Sequence, residues 1–72
     1  MGDRDPRLDP QPGDVIKQQG GIVLVVTARD GNAVAWSRRT YHSLLVDPNS
    51  WTVSGWSSFV AKGAKILEQA HV

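Results

Sequence analysis

Ile22-Val23-Leu24-Val25-Val26-Thr27 is the strongest structural signal in the chain. Five of these six residues are β-branched, which suits a pleated strand and lowers helix propensity. No polar residue interrupts the apolar ones, as expected for a central strand covered on both faces. Gly20-Gly21 before the run lets the chain reverse. Asp30-Gly31 after it suits a tight hairpin turn, because Gly and Asp tolerate the positive φ such turns require. The chain is therefore expected to organise around a sheet.

The remaining signals extend this pattern. Pro12-Gly13-Asp14 is a turn signal that predicts a first strand over Val15–Gln18. Ala33 to Arg38 alternates, with Val34, Trp36 and Arg38 on one face and Ala33, Ala35 and Ser37 on the other. Tyr41 to Val46 is expected to resume a strand after a bend at Arg38-Arg39. Asp47-Pro48-Asn49-Ser50 is read as the next turn, with Pro at its favoured second position. Trp51-Thr52-Val53 then pairs backwards. Ser54 is expected to cap a short helix ending near Lys62, whose charge complements the helix end, with Gly63 as the stop. Trp56, Phe59 and Val60 form its apolar stripe. Ala64 to Gln69 reads as the closing strand.

A chain of 72 residues makes one domain at most. It has no cysteine, so neither disulfides nor thiolate metal sites can brace it. His42 and His71 lack metal-ligand spacing. No cofactor is expected. The core must come from aliphatic and aromatic packing, with self-association as a possible aid. Residues 1–12 read as an extended Pro- and Asp-rich arm, loosely docked or packed on the body or a partner, and residues 13–72 as one small β-barrel domain. No leader pattern or apolar run of membrane-spanning length is visible, so no membrane partner and a cytoplasmic setting are expected. Residues 1–14 carry four aspartates against two arginines, net −2, and residues 15–72 carry six cations against three acids, net +3. This favours nucleic acid only weakly.

The Asp5-Pro6-Arg7, Asp9-Pro10 and Pro12-Gly13-Asp14-Val15 opening resembles that of a family of small bacterial and phage proteins. In these a Pro-Gly-Asp turn starts a compact β-domain that ends in a Trp-rich helix and a final strand. The hydrophobic second strand and Thr52-Val53-Ser54 with Trp56, Phe59, Ala61 and Ala64 extend the likeness. The arrangement also resembles an SH3-like barrel, whose last strand commonly follows a short helical turn. The resemblance implies a mainly β fold: a small SH3-like barrel of about five strands with one short helix before the last. It brings no catalytic or ligand-binding residue with it, and it points to a phage or prophage accessory or assembly factor.

Function is read mainly from surface chemistry. No nucleophile has a base within a recognisable motif, and neither a phosphate-cradling loop nor a cofactor fingerprint is present, so no enzyme is expected. The candidate binding surface is Trp36, Arg38, Arg39, Tyr41, His42 and Trp51. An exposed Trp51 beside Tyr41 would form an aromatic ledge suited to a protein partner. The alternative is weak nucleic-acid binding through Arg38, Arg39 and Tyr41, helped by Lys17 and Lys65. Adjacent arginines point to opposite faces of a regular strand, so that patch requires a bulge. A third expectation is pairing of sheet edges between copies of the chain.

Overall fold

The computed structural model describes residues 5–18, 20–60 and 63–70. Met1–Arg4, Ala61, Lys62 and His71 lie outside the described residues, and with them the expected role of Lys62 at the helix end. The element order is β1 (Val15–Lys17), β2 (Val23–Asp30), β3 (Ala33–Arg39), β4 (Leu45–Thr52), α1 (Val53–Val60) and β5 (Lys65–Glu68). All five strands form one antiparallel sheet in the order β4-β3-β2-β1-β5. The sheet is not closed: β4 and β5 are its two edges. No described helix is long and apolar enough to cross a membrane.

Val23–Thr27 of the run opens β2, in the middle of the sheet, and Ile22 stands just before the strand. Leu24 and Val26 point into the core, whereas Val23 and Val25 stay partly exposed on the outer face. The strand is thus covered fully on one face only, which corrects the two-sided expectation. A two-residue loop, Gly31-Asn32, joins it to β3 with Asp30 paired to Ala33. Gly31 has φ 56°, the left-handed geometry that a tight hairpin loop demands.

The core is Ile16, Leu24, Val26, Val34, Trp36, Trp56, Val60 and Ala64. Trp36 and Trp56 meet edge-to-face with ring centroids 4.9 Å apart. Each fully buried Val- or Ile-sized side chain contributes about 1.5–3 kcal/mol, so this cluster is the main favourable term. α1 reaches the cluster through Trp56 and Val60, one helical turn apart. Thr52, not Ser54, caps it, its Oγ1 accepting from the Gly55 amide at 3.1 Å. The helix starts earlier than expected because the strand itself ends on a capping residue.

Asp47-Pro48-Asn49-Ser50 lies inside β4 and does not form the expected turn. The pairing shifts between Trp36↔Asn49 and Arg38↔Val46, leaving Asp47 and Pro48 opposite Ser37 alone. That is a β-bulge, and Asp47 takes φ 52° within it. Pro48 is accommodated because β4 is an edge strand, with no outer neighbour needing its missing N–H. The reversal falls instead at Thr40–Leu44, so Tyr41 to Leu44 is turn and not strand. There the Ser43 amide donates to the Thr40 carbonyl at 2.9 Å, and Ser43 takes φ 63°.

The arm also departs from expectation, since Asp5–Asp9 coil into a turn. The Leu8 and Asp9 amides donate to the Asp5 carbonyl at 2.8 and 2.7 Å. Pro6 and Pro10 are fully buried. The Trp56 indole donates to the Pro6 carbonyl at 2.9 Å. Arg29 grips the next segment, donating to Asp9 Oδ1 at 2.7 Å and to the Pro10 carbonyl at 2.8 Å. The buried Asp14 carboxylate accepts from the Gln11 amide at 2.8 Å and the Ala70 amide at 2.7 Å. From Asp5 onward, then, this segment is part of the folded body.

Candidate functional site

The end of β1, the start of β2, the end of β3 and the starts of β4 and β5 lie together at one end of the sheet. An open cleft of about 480 Å³ lies there, lined by Gly20, Gly21, Ile22, Val23, Arg38, Arg39, and Thr40, Tyr41 and Ser43 of the next turn. Gly20 and Gly21 have φ 94° and 90°, a conformation that side-chain-bearing residues resist. Ile22, next in the chain, lines the cleft and is exposed.

The candidate residues separate in space. Trp36 is only 5% exposed and belongs to the core, which corrects its place on the binding surface. Its alternating strand position, shared with Val34, puts it on the covered face. Trp51 is 55% exposed, but it sits at the other end of β4, packed over Gly55. Six strand steps separate it from Leu45, roughly 20 Å. Trp51 and Tyr41 therefore do not form one ledge.

Arg38, Arg39, Tyr41 and His42 do gather. Both arginines line the cleft although they are neighbours in the strand. The bulge opposite Ser37 puts its extra residue in β4, so Arg38, paired with core-facing Leu24, and Arg39, paired with Val23, keep opposite faces of β3 while both line the cleft. Arg38 is engaged by Asp47, with Nη2 to Oδ2 at 2.9 Å and Nε to Oδ2 at 3.0 Å. Arg39 has no carboxylate partner among the described residues. Tyr41 is 96% exposed, and its ring meets His42 edge-on at 5.4 Å.

Several residues of this end escaped the sequence reading. Ile22 is exposed in the cleft, and Leu44 and Leu45, also exposed, follow directly on the Thr40–Ser43 turn. Phe59, expected in the helix stripe, is 46% exposed and stacks on Trp36 at 5.8 Å. Gln18 links the two flanks, its amide donating to the Ile22 carbonyl at 2.7 Å and its side chain to the Phe59 carbonyl at 3.4 Å. The available signal was the Leu44-Leu45 pair, next to a turn that carries neither Gly nor Pro.

No family model, curated protein or solved structure matches the chain. The surface must therefore be interpreted from its own chemistry. Among the described residues no group of three or more His, Cys, Asp or Glu is placed to hold a metal ion.

Proposed function

We propose that this chain is a non-catalytic protein-interaction module built on an SH3-like barrel, with its contact surface at the Tyr41 end of the sheet. The barrel reading is supported by β1 standing between β2 and β5, and by the short helix that precedes the last strand. The observation that carries the function is the exposure of Tyr41 and Ile22 in the cleft, with Leu44 and Leu45 exposed next to it in the chain. Leu8, Trp51, Phe59, Ile66 and Leu67 are exposed as well; what sets the Tyr41 end apart is that exposed apolar residues there border a cleft. An exposed tyrosine adds large contact area at low conformational cost, as protein-binding loops use it.

Nucleic-acid binding is less well supported. Asp47 occupies Arg38 and adds a negative charge at the rim, and aliphatic Leu44 and Leu45 offer nothing to phosphate or to a base stack.

Affinity capture from the source cells tests the proposal when wild type is compared with Tyr41→Ala and Leu45→Ser. Both positions are exposed, so folding should be retained in each variant. A partner held by wild type and lost by both variants is the expected result. Identical captures by all three would refute the assignment of this end.

A further inference from the structure

Register across the sheet places one residue from every strand in a single transverse row beside the cleft. Lys65 pairs with Lys17, Lys17 with Val23, Val23 with Arg39, and Arg39 with Leu45. Directly paired residues in antiparallel strands point to the same face. Lys65, Lys17, Val23, Arg39 and Leu45 therefore line one face in that order. It is the outer face, since Ile16 and Leu24, the neighbours of Lys17 and Val23 in their strands, are buried in the core.

Three of the five are cations, and Lys17 and Lys65 stand directly opposite each other. Like charges in that position destabilise a sheet. Among the described residues no carboxylate forms an ion pair with any of the three. Glu68 pairs with Val15, two pairings further along, beyond Ile16 and Ile66. The row is continuous with the cleft, because Val23 and Arg39 belong to both. Among the described residues the row thus carries three cations with no paired carboxylate and ends in an exposed leucine.

The geometry points to an acidic, extended segment of a partner protein as the ligand of this row. This inference rests on the protein-interaction reading above and specifies the partner's chemistry. Strands lie about 4.8 Å apart, so three intervals put Arg39 and Lys65 roughly 14 Å from each other. An extended chain repeats its same-face side chains about every 6.8 Å, so three alternate residues also span roughly 14 Å. A segment with acids at three alternate positions matches the cationic part of the row. An apolar residue one such step before them falls at Leu45 and the cleft mouth. The partner pattern is apolar-x-acid-x-acid-x-acid.

The test is a titration of the full chain, followed by backbone amide chemical shifts. One probe is a synthetic peptide alternating Thr with Leu, Glu, Glu and Glu, and the second is its glutamine analogue. A short oligothymidylate is the third. The glutamate peptide is expected to shift Lys17, Val23, Arg39, Leu45 and Lys65, with at least about tenfold weaker binding by the glutamine analogue. Binding should weaken as salt rises and drop about tenfold or more in the Lys17→Gln/Arg39→Gln/Lys65→Gln variant. Equal binding of both peptides overturns the acidic-segment proposal and leaves the interaction surface standing. Shifts at these residues from the oligonucleotide, with none from the peptides, overturn both readings. No shift from any probe overturns this proposal, while the capture experiment still decides the broader one.

Discussion

The indole nitrogen of Trp56 donates to the carbonyl oxygen of Pro6 at 2.9 Å, joining positions fifty residues apart in the sequence. The bond is buried, so the carbonyl has no water to turn to if the donor is lost. Trp56→Phe is expected to destabilise the fold by about 2–4 kcal/mol, from the orphaned carbonyl plus the lost ring volume. Urea denaturation measures it. In a chain lacking residues 1–10 the same substitution should cost less, since the acceptor is gone. Equal costs in the two backgrounds would show that the bond contributes nothing.

Asp14 acts on both ends of the described chain. Asp14→Ala leaves the Gln11 and Ala70 amides without their carboxylate, at an expected loss of about 2–4 kcal/mol. Hydrogen exchange gives a sharper signature than melting. Both amides should lose protection together, while the β2–β3 amides keep theirs relative to global stability.

Gly13 has φ 97°, and a Cβ there would lie 3.3 Å from the Ala70 Cβ. Gly13→Ala is expected to cost about 1–3 kcal/mol from backbone strain, with crowding added. Gly55 tests a different constraint, because a Cβ there would run into the Trp51 ring. Gly55→Ala should push Trp51 outward and shift its fluorescence to longer wavelength. In a Trp51→Ala background the substitution should become neutral or stabilising, as alanine favours helix over glycine. A cost that persists without Trp51 would refute the contact.

The Arg7 side chain, and then its backbone amide, hydrogen-bond Asp5 and hold its carboxyl below the usual carboxylate range. A carboxyl with a depressed folded-state pKa favours folding above its unfolded pKa. That contribution disappears as pH falls through the lower, folded value. The Arg7 amide shift should therefore move in acid, below the ordinary Asp range. Asp5→Asn should abolish the transition. The same transition in the variant would assign it to another acid.

Much of the fold was legible because local and tertiary preferences agree. The β2 run from Val23 and the Trp56–Val60 spacing appear in the structure where the sequence places them, and the hairpin expected at Asp30-Gly31 turns one residue later, on Gly31-Asn32. Asp47–Ser50 misled because its composition is that of a turn, whereas an edge strand absorbs the same residues as a bulge. Thr40–Leu44 was missed because Ser43 takes up a left-handed conformation normally signalled by Gly or Asn. Docking of the arm was hidden for another reason: the Pro6 carbonyl and Arg29 find their partners only through distant packing. At the site, Arg38, Arg39 and Tyr41 were visible as a cluster. The Lys65–Lys17–Val23–Arg39–Leu45 row was not, because strand register does not show in a single linear pattern.

Because one carboxylate receives the amides of both Gln11 and Ala70, the path into the β-sheet and the path out of it converge on a single point. A pull on either segment is therefore shared with the other through Asp14, and the two flanks of the sheet behave mechanically as one junction.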